Sequence, residues 1–530
     1  MDRAAIANLD DVQQLRALLL EQLQVNARQA QVITQHEAMI TRHEQAITSK
    51  DTHIAKLKAE NARLRRLQYA ARSEKLSADQ RDLFEETLAE EIAAIEAALA
   101  KLDTEVSVKR TPDRVKKAGP RRALPDHLPR VETRHEPASC RCADCGHALV
   151  HVRDHVSEKL ACKPLEFYVQ RDVYPQYACR QCETIVSEPV APAIIDRGLA
   201  APSLLAQVVI AKYVDHLPLY RQEAIYLRSG IELPRAMLAE WIGACGVALQ
   251  PLADRLREQL KAIAILHADE TPVGMLDPGS GQTKRAYLFA YRTATGPPIV
   301  LFDFCTSRSG DHARRFLGEW RGTLMVDDYG GYKALFRHGI TELGCWVHAR
   351  RKFFEQYKAS GSALAKEALA RIAELYRLEA EAAPMDASAR QAYRQQHAAP
   401  VLRAFKTWLV EQRQTTVGQS NTAKAMDYTL KRWEALARYV EDGRYPIDNN
   451  PVENAIRPIA LGRKNWMFVG AERAGQRAAA IMGLLATAKA NGLDPHAWLT
   501  DVLTRLPTTL DRDIDTLLPL RGHWQTTSAC

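Results

Sequence analysis

The sequence predicts a multidomain α+β protein, and three observations predict it. Isoleucine recurs every seven residues from Ile33 to Ile54. Two C-x-x-C pairs flank a stretch that alternates as strands do. After Lys261 the pattern becomes strand, strand, strand, helix, strand, with an acid at the end of the first and fourth strands. A chain of 530 residues has room for roughly three to four domains.

Composition narrows the class. Apolar residues make up 46% of the chain, enough for real cores, and charged residues 26%, which predicts solubility. The net charge of +8 leans toward polyanionic partners. The first twenty residues mix charge into their apolar positions, unlike a signal peptide. No apolar run reaches the roughly eighteen residues of a membrane span, so no membrane partner is expected. Ten cysteines in so long a chain are no disulfide framework; a cytoplasmic location with thiols or metal is expected.

Residues 1–106 read as a helical region. Ile33, Ile40, Ile47 and Ile54 form a coiled-coil seam that Asn61 continues, with Leu57 and Leu64 at the second apolar position. His36, His43 and Lys50 interrupt it, and a solvated helix packed on its own protein reads the same stretch. Residues 107–136 read as a basic linker, with seven Lys or Arg and one Asp between Ser107 and Arg122. Such a tract suits DNA phosphates, or simply water.

Residues 137–192 read as a zinc ribbon-like domain. Cys142, Cys145, Cys179 and Cys182 make two knuckles that complete one tetrahedral, structural Zn²⁺ site. Cys140 competes as a ligand, and a redox pair is the other reading. Residues 193–260 read as a helical DNA-binding region. A helix from Leu219 to Ser229, stopped by Gly230, precedes one begun by Pro234 with Leu238, Trp241 and Ile242 on one face. The pair is helix-turn-helix-like, as is many an ordinary helical hairpin.

Residues 261–492 carry the chemistry. A strand from Ile263 leads to His267 and ends at Asp269; strands follow at Tyr287–Tyr291 and Ile299–Phe304, a helix at Asp311–Trp320, and a strand at Thr323–Val326 that runs into Asp327 and Asp328. Two carboxylates at a sheet edge can share hard cations. Helices fill about 358–445. Then comes Asp448-Asn-Asn-Pro-Val-Glu453-Asn, with Asn450 as a helix cap and Pro451 as the first helical residue. Glu453 either completes a capping box or supplies a third acid. The two aspartates, and the basic stretch that follows, favour the third acid. That stretch holds Arg457, Arg463, Lys464, Trp466 and Arg473, and suits a DNA strand. Arg350, Arg351 and Lys352, just after His348, face either DNA or water. Residues 493–530 read as a C-terminal tail.

With these blocks in order, the chain resembles the insertion-sequence-66 family of transposases over nearly its whole length. The resemblance rests on Arg72-Ser-Glu-Lys-Leu76, Leu124-Pro-Asp-His-Leu-Pro-Arg130, the cysteine knuckles, Asp215-His-Leu-Pro-Leu-Tyr-Arg221 and Leu238-Ala-Glu-Trp241. His267-Ala-Asp-Glu-Thr271, Asp327-Asp-Tyr-Gly-Gly-Tyr332 and Asn449-Asn-Pro-Val-Glu-Asn454 resemble its three catalytic blocks. The second block usually reads Asp-Gly-Tyr; Asp328 stands where the glycine is expected, and the alignment favours Asp327. Cys345-Trp-Val-His348 is similar to a C-x-x-H element of several transposase groups, and the resemblance leaves the role of Cys345 and His348 open.

The resemblance implies a ribonuclease-H-like α/β catalytic core with a helical insertion, and binding of the element's terminal repeats by the N-terminal parts. It also implies a DDE transposase in which Asp269, Asp327 and Glu453 hold two Mg²⁺ or Mn²⁺ ions, about 4 Å apart in enzymes of this type. Water would free a 3′-hydroxyl at the element end, and that hydroxyl would attack target DNA. Expected partners are DNA, a second copy of the chain and accessory proteins of the same element, in a nucleoid-associated setting. A nuclease or resolvase that cuts without joining, and a DNA-binding scaffold with an inactive core, are the rivals. A zinc enzyme is disfavoured because four cysteines close the coordination shell.

Overall fold

The computed structural model describes residues 128–136, 150–163, 166–277, 282–416, 420–466 and 468–524, and single positions outside these runs. The isoleucine seam, the basic tract 107–122, and Cys142 and Cys145 lie outside the described residues. The protein is a mixed α/β molecule with two mixed sheets.

The first sheet holds β1 (Arg130–Arg134), β2 (Val150–Lys163), β3 (Glu166–Ala178) and β4 (Ile185–Ser187). β1 runs parallel to β3, and β2 and β4 run antiparallel to it. The expected linker 107–136 therefore ends in a strand. The reason is local: the Arg130 guanidinium turns back onto the carbonyls of Asp126 and Leu128, at 3.1 and 2.9 Å. Leu124 and Leu128 then pack on the main core. Leu160, Cys162, Phe167 and Val169 join the same core, which roots this sheet in the rest of the molecule.

Four helices follow: α1 (Pro202–Tyr213), α2 (Leu219–Arg228), α3 (Arg235–Ala248) and α4 (Gln250–Lys261). Gly230 takes a φ of +77°, a left-handed turn that ends α2 as expected. The expected helix pair is present as α2 and α3, joined by the turn at Gly230. Eight of the fourteen residues of α3 are buried, Leu238, Trp241 and Ile242 among them, and α3 packs on α1, α2 and α4. Ala236, Glu240, Ala244 and Val247, none of them buried, share the opposite side of the helix.

The second sheet has the order β7-β6-β5-β8-β9, built from β5 (Ile265–Asp277), β6 (Gln282–Thr293), β7 (Val300–Cys305), β8 (Thr323–Val326) and β9 (Thr341–Gly344). The first three pair antiparallel; β8 and β9 add in parallel to β5. Helix α5 (Gly310–Leu317) crosses from β7 to β8, and the short α6 (Lys333–Phe336) lies between β8 and β9. β5 does not end at Asp269. The alternation Asp269, Thr271, Val273, Met275 continues, and β6 pairs with it to Asp277. Pro272 falls between the β8 pairing at 265–267 and the β10 (Phe468–Val469) pairing at 274–275, where β5 has a partner on one side only. The four-residue β9 and two-residue β10 were not expected; strands so short carry little periodicity.

Side chains alternate across this sheet. Leu266, Ala268, Phe289, Tyr291 and Leu301 face the main core. Val273, Met275, Leu288, Ala290 and Phe302 face the other way, under α13 (Asn450–Trp466) and α14 (Glu472–Ala490). On α14, Gly475 lets the helix approach β7, since a Cβ there would meet the Phe304 ring at 2.5 Å. Thr487 accepts from Val300 N–H at 3.0 Å and donates to its carbonyl at 2.9 Å, so α14 seals the edge of β7.

Between β9 and α13 lies the helical insertion: α7 (Trp346–Ser360), α8 (Ala363–Ala382), α9 (Ala387–Tyr393), α10 (Ala399–Thr415), α11 (Asn421–Lys431) and α12 (Trp433–Ala437). Within the stretch where helices are expected, the run from Ala387 to Thr415 is not one helix. It is broken by a π-type turn at Arg394–Ala398, just before Pro400, whose missing N–H cannot continue the ladder. The insertion has its own core, from Trp346 to Ile447. The expected tail is also folded: α15 (Pro495–Arg505) buries Trp498, Leu499, Val502 and Leu503, and packs on α1.

Candidate active site

Register assembles the site. His267 pairs with Met325 across β5 and β8, and Val326 with Gly344 across β8 and β9. Continuing these registers sets Asp269 level with Asp327, and Asp327 level with Cys345, where the carboxyl ends of parallel strands open. By alternation, His267, Asp269 and Thr271 share the face of β5 that α13 covers.

The Asn449–Glu453 block is a fastening device. Asn449 is fully buried. Its Oδ1 lies 2.9 Å from Nδ1 of the buried His267, and its amide nitrogen donates to the Ala268 carbonyl at 2.9 Å. Burial pushes the His267 imidazole down to about 4, so it is neutral at pH 7 and Nδ1–H is the donor. Arg292 donates to the Pro451 carbonyl at 2.7 Å, and Arg463 to Thr271 Oγ1 and the Pro272 carbonyl at 3.3 and 2.6 Å. These bonds lock α13 against β5 and bring Glu453, in its first turn, into the field of Asp269.

A capping box is not formed. Asn450 N–H donates to Asp448 Oδ1 at 3.1 Å, and Asn449 N–H to Cys345 Sγ at 3.2 Å. Neither cap candidate leaves an N–H for Glu453, as the box requires. The Glu453 carboxylate lies instead 3.5 Å from Arg351 Nη2 and 3.7 Å from His348 Nδ1.

Electrostatically the site is crowded with acid. Asp269 is pushed up to about 8, chiefly by burial and then by Glu270, with smaller contributions from Asp327 and Glu453. The Glu270 amide at 2.8 Å opposes this. Asp327 Oδ1 accepts from Tyr329 N–H at 2.8 Å. His348 is pushed down by burial, against the pull of Glu453 and Asp327. Glu453 Oε1 is buried without a hydrogen bond. Carboxylate oxygens gathered against their own repulsion, one of them unsatisfied, are a donor set that fits Mg²⁺ or Mn²⁺.

Two neighbouring acids meet arginines. Asp328 binds the buried Arg432 at 3.0 Å, which Glu342 also binds at 2.9 Å. Glu270, on the opposite face of β5 from Asp269, is held by Arg308 (Nε at 2.9 Å) and by Tyr332 Oη at 3.0 Å. Sequence reasoning missed Glu270, Arg308 and Tyr332, and also the His267–Asn449 clasp. The period-two spacing of His267, Asp269 and Thr271 was the one available signal.

The basic residues divide. Arg350, Arg351, Lys352, Arg457 and Lys464 are exposed. Glu453, Arg457 and Lys464 are spaced four and seven residues apart, one stripe of α13. Arg463 is turned inward. Trp466 is half-buried against the apolar face under α13, and Arg473 is half-buried. In the other sheet Cys179 is buried, and Cys182 is exposed with its sulfur 3.2 Å from Thr184 Oγ1.

Four family models match the chain. One described as "Transposase IS66 family" covers residues 197–477, and "IS66 C-terminal element" covers 483–520. "Zinc-finger binding domain of transposase IS66" covers 139–183, and "Transposase C of IS166 homeodomain" covers 56–133. Two relatives in Sinorhizobium fredii, both named as uncharacterized proteins, are y4qI and y4jD. The first is 37% identical over 94% of this chain and 94% of its own length; the second is 38% identical over 88% and 94%. A third from the same organism, y4hP, is 32% identical over 90% of each. Among the described residues no single helix is long and apolar enough to cross a membrane.

Proposed function

The chain belongs to the IS66 transposase family, and from that premise we propose that it is a DDE transposase, cutting DNA at the ends of its own element and joining them to target DNA. The observation that carries this reading is the meeting of Asp269, Asp327 and Glu453 at one opening of the sheet. The strand order β7-β6-β5-β8-β9, antiparallel for three strands and then parallel, supports a ribonuclease-H-like core spanning residues 261–492.

Within that reading the chain's residues have distinct tasks. Asp269, Asp327 and Glu453 would hold Mg²⁺ or Mn²⁺, which when bound supplies activation of the attacking oxygen and stabilisation of the leaving one. Asn449 and Arg463 position α13, and so Glu453. Arg350, Arg351, Lys352, Arg457 and Lys464 face solvent and suit phosphate contacts. Asp328 keeps Arg432 in place and takes no part. Self-association through the Ile33–Ile54 seam and contacts with accessory proteins belong to the same proposal.

The decisive experiment incubates the protein with its own element ends and a plasmid target, scoring cleavage and joining separately. Both products support the transposase. Cleavage alone supports a nuclease or resolvase, and neither product, with DNA binding retained, supports a scaffold.

Residues 139–183 carry the family's zinc-finger element. We assign its ligands as Cys142, Cys145, Cys179 and Cys182. Purified protein should hold one Zn²⁺ there, and Cys145→Ser should lose it. Metal analysis of both proteins decides; equal zinc in the two would refute the assignment.

Asp269 gives a pH signature. Its folded carboxyl titrates near 8, against about 3.9 in an unfolded chain. Between those values the folded state binds the extra proton, so this group's contribution to stability falls as pH rises through the window. A divalent cation must displace that proton. Thermal stabilisation by Mn²⁺ is therefore expected to grow between about pH 6 and about pH 9. Asp269→Asn should raise the melting temperature of metal-free protein at the upper end and flatten the Mn²⁺ effect. Melting curves with Mn²⁺ or chelator test this; equal Mn²⁺ stabilisation of the wild type across the range would contradict it.

A further inference from the structure

Beside the carboxylates lies a group of different chemistry. Cys345 follows β9 as the N-cap of α7, His348 sits in the first turn of α7, and Glu453 in the first turn of α13. One ligand atom from each lies within 4.8 Å of the other two. His348 Nδ1 and Glu453 Oε1 are 3.7 Å apart, and both are buried without a hydrogen bond. That separation is too long for a hydrogen bond. It is close to the roughly 3.4 Å between two ligand atoms on a tetrahedral ion with bonds near 2.0–2.1 Å. Cys345 Sγ accepts from Asn449 N–H, so its sulfur is held beside the same space.

The group is rigid. Trp346, between the cysteine and the histidine, is fully buried; it donates to the Leu436 carbonyl at 2.8 Å and packs on Phe405 and Trp433. Sulfur, nitrogen and one oxygen are the donors of a borderline-soft ion such as zinc, whereas the Asp269–Asp327 side offers only oxygen.

We propose that Cys345, His348 and Glu453 form a second zinc-class site, separate from the cysteine knuckles, with an open fourth position. Binding expels the Cys345 thiol proton to solvent and leaves thiolate, neutral imidazole and carboxylate around the ion. An ion there fixes the orientation of the Glu453 carboxylate. The sharing of Glu453 with the hard-ion site rests on the transposase reading; the site itself does not.

The test uses full-length protein whose zinc finger is already filled, with its zinc content measured before and after titration with Co²⁺. One further equivalent of Co²⁺ is expected, with a sulfur-to-metal charge-transfer band. Cys345→Ser should abolish the band. His348→Gln should weaken binding by about 100-fold or more, since even outer-shell partners of a metal are worth about 10–100-fold. His348 is only partly buried, so this variant carries the test should Cys345→Ser fail to fold. Absence of the extra equivalent, or a band that survives both substitutions, overturns the site. Binding as expected in a protein that cuts no DNA would refute the transposase reading and leave the site standing. DNA joining without the extra equivalent would do the reverse.

Discussion

Replacing Asp269, Asp327 or Glu453 by alanine is expected to bring both cleavage and joining to background while DNA binding is kept. Divalent ions in such sites are worth several kcal/mol of transition-state stabilisation, so the loss should be about 10³-fold or more for each. Binding should hold for Asp269→Ala, whose carboxyl is raised to about 8, and hold or tighten slightly for the other two, where a negative charge leaves a surface that meets phosphate. Asp328→Asn is the internal control. Glu342 remains beside Arg432 in that variant, so activity should persist. Glu453→Gln separates a metal ligand from a cap, since glutamine serves a capping box but is a poor carboxylate substitute. Full activity in Glu453→Gln would remove it from the triad. Gel-shift and strand-transfer assays on the same preparations read both properties.

Asn449→Ala should damage stability and chemistry together. The substitution strips His267 Nδ1 and the Ala268 carbonyl of a buried partner. Each group left unpaired costs about 1–3 kcal/mol. It also frees the start of α13, and a shift of about 1 Å in a reacting group can cost about 10²-fold in rate. His267→Ala should cost less in an Asn449→Ala background than in the wild type, because the two share one interaction. Denaturation and strand transfer of the four proteins form the cycle; strictly additive losses would show that the clasp does not couple them.

Much of the chain after residue 193 was legible because its signals are local. Alternating apolar residues mark β6 and β7, Thr323–Val326 is an unbroken apolar run into an acid, and Gly230 and Pro234 mark helix ends. What was not legible depends on distant partners. Nothing near Asp269 says that β5 continues past it; the pairing with β6 decides that. Leu238, Trp241 and Ile242 gave α3 an apolar face but did not name α1, α2 and α4 as the helices it packs on. Residues 495–505 look like a tail until Trp498 finds the Leu517 carbonyl and the core beside α1. At the site, the acids were readable as types. Which of Asp269, Glu270, Asp327 and Asp328 meets an arginine was not, because it follows from the strand face each occupies and what packs there.

The helical insertion leaves the sheet and returns to it at one neck. Trp346 N–H donates to the Ile447 carbonyl at 3.2 Å, and Asn449 N–H meets Cys345 Sγ at the same distance. Most of what lies between is cored by its own residues, and Arg432 and Tyr445 tie its last part to β8 and β9. A closed excursion of this kind makes the polypeptide divisible. The chain connecting α10 to α11 lies far along it, with open space around Gly418. Parting the chain there makes assembly bimolecular, at a cost of about 4–15 kcal/mol that the insertion's core must offset. Two separately produced fragments, parted between α10 and α11, should recognise each other through the insertion's core and restore the neck. Glu453 would then arrive on one fragment and the two aspartates on the other, so that DNA joining would depend on the meeting of two gene products.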